Sequence, residues 1–118
     1  MREAEQFFLR NGINGVPAVI IDRLVVVGGA VAFADRSRRE QPEKRLADLN
    51  QAQLLATFQI NTLGPAMLLR HFSGLLDRQR GVLAMLSAKV GSIGDNRLGG
   101  WYSYRASKAA LNMLLKTA

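Results

Sequence analysis

The run Tyr102-Ser103-Tyr104-Arg105-Ala106-Ser107-Lys108-Ala109-Ala110-Leu111-Asn112 decides how the rest of the chain is read. It lies in a stretch rich in Ala, Leu, Met and Lys, from Trp101 to Ala118, that favours a helix. On a helix, positions four apart lie on one face, so the Tyr104 phenol and the Lys108 ammonium stand side by side. A free phenol, with a pKa of about 10, is a poor acid or base at neutral pH. A neighbouring ammonium favours the phenolate. Such a pair protonates a carbonyl oxygen as hydride arrives, or deprotonates an alcohol in the reverse direction. The spacing alone also fits a tyrosine packed on a lysine stem, so the decision rests on what surrounds it.

Upstream, Ser87 to Gly100 is polar and Gly-rich, a long loop. Gly81 to Leu86 is a continuous apolar run between Arg80 and Ser87, which predicts a buried strand. Leu54, Leu55, Phe58, Leu68, Leu69, Phe72, Leu75 and Leu76 recur at spacings of three and four, which predicts a helix from about Gln51 to Leu76. Asp48 or Asn50 caps it. Gly64-Pro65 sits in its middle. Proline has no N–H, so Pro65 cannot bond to the Asn61 carbonyl four residues earlier, and a kink is expected there. Pro42 suits the first position of a short helix. Ala34 to Gln41 is charged and turn-like. Pro17 to Ile21 and Leu24 to Val27 are β-branched runs on either side of Asp22-Arg23, either a hairpin or two strands of a sheet. Glu3 to Arg10 reads as a short helix ended by Asn11-Gly12. The order is that of an α/β protein. The long helix is expected to be a right-handed crossover joining parallel strands at Leu24–Val27 and Gly81–Leu86.

Composition narrows the function. The chain has 118 residues, 48% apolar and 21% charged, with a net charge of +7. That suits one small globular domain. No apolar run approaches the roughly 20 residues needed to span a bilayer, and Met1 to Arg10 is too charged for a signal peptide. A cytoplasmic protein without a membrane partner is expected. The absence of cysteine excludes disulfides and thiolate chemistry. His71 is the single histidine, so no metal site is expected, and it reads as a partly buried helix residue. The densest basic cluster, Arg36, Arg38, Arg39, Lys44 and Arg45, is diluted by Asp35, Glu40 and Glu43. No aromatic residue interleaves with it to stack bases, so no nucleic-acid partner is expected.

The Tyr102 to Asn112 run resembles the Tyr-x-x-x-Lys helix of the short-chain dehydrogenase/reductase family. Val90-Gly91-Ser92-Ile93-Gly94-Asp95-Asn96, Gly99-Gly100-Trp101 and Gln41-Pro42-Glu43-Lys44-Arg45-Leu46 resemble its C-factor-like subgroup, which includes carbonyl reductases. Asn61-Thr62-Leu63-Gly64-Pro65 is similar to the family's Asn-x-x-Gly segment. The resemblance implies an oxidoreductase that moves hydride between NADP or NAD and a carbonyl or alcohol. Tyr104 would be the acid/base. Lys108 would assist it and bind the nicotinamide ribose. Asn61 would hold a relay water through its carbonyl. The family ends the preceding strand with two serines and uses the second on the substrate carbonyl. Here the pair is Ser87-Ala88, so Ser87 takes the role, with Ser92 as the alternative. The implied fold is a partial Rossmann-like, doubly wound parallel sheet, truncated at both ends. A homo-oligomer is also implied, through the Asn-bearing and Tyr-bearing helices.

The chain departs from the family in its cofactor half. No strand-turn-helix with Thr-Gly-x-x-x-Gly-x-Gly is present, although close approach to a pyrophosphate needs one. Gly28 and Gly29 stand where the family has Asn-Asn-Ala-Gly and are assigned to the cofactor's edge. Residues 1–22 form a separate segment. Glu5-Gln6-Phe7-Phe8 and Asn11-Gly12-Ile13-Asn14-Gly15-Val16-Pro17-Ala18-Val19-Ile20-Ile21 resemble the cis-proline segment of DsbA-type thioredoxin-fold proteins. A divergent dehydrogenase N-terminus is the other reading of this segment. Residues 23–118 are then a dehydrogenase/reductase domain without its glycine-rich half, and the chain ends inside a helix at Lys116-Thr117-Ala118. The expected function is an oxidoreductase fragment with impaired or no activity alone. The alternative is a non-catalytic remnant or interaction module.

Overall fold

The computed structural model describes residues 42–118, together with the backbone of two strands at 18–21 and 24–27. Gly28, Gly29, the Glu3–Arg10 helix with its Asn11-Gly12 end and the Ala34–Gln41 segment lie outside the described residues.

Strands β1 (Ala18–Ile21) and β2 (Leu24–Val27) pair antiparallel, with Ile21 opposite Leu24 and Ala18 opposite Val27. Strand β3 (Val82–Met85) pairs parallel with β2, from Leu24 against Val82 to Val27 against Met85. The expected parallel pairing is present. The sheet is nevertheless mixed, in the order β1-β2-β3, because β1 folds back on β2 as the hairpin alternative has it. Parallel strands need a crossover of a dozen or more residues, and the helical stretch between β2 and β3 supplies one.

That stretch is not one kinked helix. Helix α1 (Gln51–Phe58) starts at Asn50, whose Oδ1 accepts the Gln53 N–H at 3.2 Å. A π-helical turn follows at Gln59–Leu63, and α2 runs Gly64–Phe72. The Gly64 N–H reaches back five residues to the Gln59 carbonyl. Pro65, at the start of α2, has no N–H to return, so the ladder widens upstream of it instead of kinking at it. A 3-10 turn at Ser73–Leu75 ends the crossover. Pro42 opens no helix; a 3-10 turn follows four residues later, at Leu46–Asp48. Asp48 closes it by accepting the Arg45 backbone N–H and guanidinium, both at 3.0 Å.

Leu68 and Phe72 on α2 form the apolar core, with Ile60, Met67, Leu76 and Met85 packed around them. Strand β3 is less buried than its apolar sequence suggests. Leu83 and Met85 are half-buried, while Val82 and Ala84 are exposed. One face of the strand meets α2. No described helix covers the other.

Helix α3 (Tyr102–Thr117) packs against α1, the π turn and α2. Gly99, Gly100 and Trp101 lead into it with φ of 66°, 67° and 53°. Three successive left-handed residues reverse the chain sharply. Two are glycine, which adopts such angles without a Cβ clash. Trp101 offers the helix no capping side chain.

Candidate active site

The N-terminal half of α3 buries polar groups. Ser103, Ser107 and Lys108 are all buried, with Leu111 continuing the same face. Asn61 and Thr62 of the π turn lie opposite and are buried too. The Asn61 Nδ2 donates to Ser107 Oγ at 3.1 Å, and Ser107 Oγ donates to the Tyr104 carbonyl at 2.8 Å. The Thr62 hydroxyl donates to the Ser107 carbonyl at 2.9 Å. A π turn enlarges the helix radius locally, which carries these two side chains out towards α3. The widened turn and the Tyr-Lys helix are thereby locked in one register.

Lys108 is 1% exposed, and its Nζ donates to the Leu86 carbonyl at 2.8 Å, just past the end of β3. The same Nζ lies 6.0 Å from the Tyr104 ring centroid. Burial pushes the Lys108 ammonium below the usual lysine range, because the charged form loses hydration. Tyr104 is half-buried, and the Trp101 ring meets it edge-on at 6.3 Å. Gly91 passes against this point. A Cβ there would come within 2.9 Å of the Lys108 Cβ and 3.0 Å of its carbonyl carbon. Only glycine lets the loop lie so close to the helix.

The loop is also tied from above. The Arg105 guanidinium donates to the carbonyls of Gly100 (2.9 Å), Gly99 (3.2 Å) and Val90 (3.4 Å). An open hollow of about 370 Å³ lies between this loop and Tyr102, Arg105 and Ala109. Its walls include Ser92 and Asn96 but neither Tyr104 nor Lys108.

The structure brings Tyr104, Lys108 and Asn61 into one seam. Ser87 is exposed, and its hydroxyl donates to Asn112 Oδ1 at 2.5 Å. Asn112 is two turns beyond Tyr104, roughly 12 Å along the helix axis, so Ser87 stands level with the Lys108–Asn112 end. Ser92 is exposed in the loop, where its Oγ accepts the Asp95 N–H at 3.3 Å. Gly28 and Gly29 lie outside the described residues. His71 is half-buried on α2, as its helical position suggests.

Sequence reasoning passed over Glu43, Thr62, Ser103, Arg105 and Ser107. Ser107 and Arg105 stand inside the decisive run but look like ordinary helix filler. A signal for Glu43 was present: Gly99-Gly100-Trp101 opens a helix without a capping side chain, so the first-turn donors need an acceptor from elsewhere.

No family model matches the chain. It is 43% identical over 76 residues to the C-signal protein of Myxococcus xanthus, a match covering 61% of this chain and 44% of that one. It is 48% identical over 56 residues to the 1-hydroxy-2-glutathionyl-2-methyl-3-butene dehydrogenase of Rhodococcus sp. (strain AD45), covering 48% of this chain and 24% of the relative. A short-chain dehydrogenase/reductase from Burkholderia multivorans with bound NADP superposes with a TM-score of 0.71 at 23% identity, over 98% of this chain and 45% of the other. The chain therefore spans less than half the length of each of these proteins. Its homologues and structural neighbours are short-chain dehydrogenases/reductases, and the neighbours are Rossmann-fold proteins.

Proposed function

We propose that residues 23–118 are the catalytic half of a short-chain dehydrogenase/reductase that interconverts a small carbonyl compound and its alcohol. One observation carries this reading: a buried lysine ammonium lies 6.0 Å from the ring of the tyrosine four residues before it. Lysines are almost never fully buried without a task or a partner.

The residues present fit one end of a nicotinamide dinucleotide. Lys108 and Tyr104 share a helix face and would hold the nicotinamide ribose. Such a cofactor, NADP or NAD, supplies the hydride when bound. The described residues do not fit its pyrophosphate. The N-terminus of α3 would suit an anion, but the Glu43 carboxylate already sits there. Gly28 and Gly29 would line the cofactor's edge, and anchoring of the phosphates falls to a glycine-rich strand-turn-helix outside residues 23–118. The same addition would extend the three strands into a doubly wound sheet.

Tyr104 donates its phenolic proton to the carbonyl oxygen as negative charge develops there, and takes it back in the alcohol direction. Lys108 stabilises the phenolate between these events. Ser87 would orient the carbonyl oxygen once its hydroxyl leaves Asn112 and turns towards Tyr104, with Ser92 as the alternative. Asn61 supports the proton path: its carbonyl belongs to the widened turn, and its side chain fixes Ser107 beside Lys108. A homodimer would form through α1–α2 and α3, where Ala106 is exposed and Ala109 and Ala110 are half-buried.

The test joins this chain to a glycine-rich strand-turn-helix half from a family relative and follows NADPH-dependent reduction of an aromatic aldehyde. Turnover should appear and be lost in Tyr104→Phe. Turnover that survives Tyr104→Phe overturns the assignment.

A further inference from the structure

Glu43 is 3% exposed, although it lies outside any helix or strand in a basic chain. A buried carboxylate is costly unless donors replace its hydration. Here they come from the start of α3, 60 residues away. The Ser103 N–H donates to Oε2 at 3.4 Å, and the Ser103 hydroxyl donates to Oε1. The Glu43 backbone carbonyl accepts the Trp101 N–H at 2.5 Å. A helix N-terminus presents unpaired N–H groups and partial positive charge, and a carboxylate satisfies both. Glu43 therefore does from a distance what an N-cap side chain does locally.

This cap matters because Tyr104 is the third residue of α3, inside the turn that frays first when a cap is lost. One turn further, Ser107 is fixed independently by Asn61 and Thr62, and Lys108 by the Leu86 carbonyl. The second turn is thus held by the π turn and the first by Glu43, with the Ser107 hydroxyl on the Tyr104 carbonyl joining the two.

We propose that Glu43 is a positioning residue, whose carboxylate and backbone carbonyl cap the Tyr104-bearing helix and hold the tyrosine in place relative to Lys108. Its bearing on catalysis rests on the oxidoreductase reading; the cap itself does not. Trp101 is the chain's single tryptophan and meets the Tyr104 ring, so near-ultraviolet circular dichroism reports this junction directly.

The experiment compares Glu43→Ala, Glu43→Gln and Ser103→Ala in the full chain by amide exchange and near-ultraviolet dichroism, with NMR titration of the Lys108 ammonium as the internal reference. In Glu43→Ala, exchange at Ser103 and Tyr104 should quicken about five- to thirtyfold, as loss of a cap implies, and the Trp101–Tyr104 signal should fall. The Lys108 titration should stay where it is. Glu43→Gln should keep most of the wild-type protection and signal, since its oxygen accepts the Ser103 N–H and its amide donates to the Ser103 hydroxyl. If Glu43→Ala does not fold, Ser103→Ala gives the same pattern at smaller amplitude. Unchanged exchange at Tyr104, or a Lys108 titration that moves together with it, overturns the proposal. In the joined enzyme, Glu43→Ala should lower kcat about tenfold or more with little change in KM, the scale expected when a reacting group is displaced by a fraction of an ångström. Full kcat in Glu43→Ala beside a dead Tyr104→Phe would sink the positioning role alone. Full kcat in Tyr104→Phe would sink the oxidoreductase reading instead.

Discussion

Two regions of the molecule invert the usual rule of apolar inside and polar outside. The seam where α3 meets the π turn and Glu43 buries Glu43, Asn61, Thr62, Ser103, Ser107 and Lys108. Elsewhere apolar side chains stand in solvent: Val82 and Leu86 around β3, and Met113, Leu114 and Leu115 at the end of α3. Buried polar groups are tolerable only when hydrogen-bonded, and in the seam each such side-chain atom has a partner. A fully satisfied polar network fixes one arrangement, whereas apolar contacts tolerate repacking. The seam holds a defined geometry. The exposed apolar surface is covered by none of the described residues.

The comparison breaks most visibly at the small apolar core between the two regions. Leu68 is 0% exposed, and Leu68→Ala should cost about 3–5 kcal/mol in denaturant unfolding. A loss under about 1 kcal/mol would mean that α2 does not hold the crossover to the sheet. Next in size is Gly91→Ala, which forces the loop away from Lys108. A cost of roughly 1–3 kcal/mol is expected, together with altered exchange at Ala109. Asn61→Ala removes a buried donor from Ser107 and should cost about 1–3 kcal/mol, with faster amide exchange in the first half of α3.

Lys108 sharpens the same contrast through pH. Its folded-state pKa is below the unfolded value, so between the two the unfolded chain holds more protons. Stability contributed by this site should therefore rise with pH from the depressed folded value up to about 10.4, the ordinary lysine value. At lower pH the full cost of burying the charge is present. Lys108→Met should lack this rise, and a difference curve between the two proteins isolates it. A difference that falls with rising pH would contradict a desolvated ammonium. The smallest effect belongs to the exposed surface. Leu98 is 95% exposed, and Leu98→Ser should change stability by less than about 0.5 kcal/mol. Replacing Val82, Leu86 and Leu114 by serine should leave the fold intact and reduce self-association in light scattering.

Much of this was legible in the sequence because spacing determines it. Tyr104 and Lys108 share a face at i and i+4. Pro65 without an N–H breaks the helical ladder near Asn61. The apolar periodicity of Leu68 and Phe72 marks the core. The local response was less legible. A missing N–H allows either a kink or a widened turn, and the choice follows from Asn61 and Thr62 reaching Ser107, a contact 45 residues away in the chain. Likewise Leu24–Val27 and Pro17–Ile21 announce strands but not their direction, since pairing depends on the register of the neighbouring strand. The apolar run at Gly81–Leu86 suggested full burial, yet Val82 and Ala84 are exposed, because hydrophobicity alone does not say which face another layer covers. Glu43 was hidden for the same reason: its partner Ser103 lies 60 residues on.

On the proposed reading a hydride-transfer site is divided in two, and this chain carries the proton-and-ribose end. Titration of the wild-type chain with NADPH, followed by nicotinamide fluorescence, tests that division most directly. A single lysine contact does not offset the cost of fixing a dinucleotide, at least several kcal/mol. The chain alone should therefore show no saturation up to about millimolar NADPH, because a millimolar Kd already corresponds to about −4 kcal/mol. The joined protein should saturate at micromolar concentration. Micromolar binding by this chain alone, abolished in Lys108→Met, would contradict the division and place a complete cofactor site within these 118 residues.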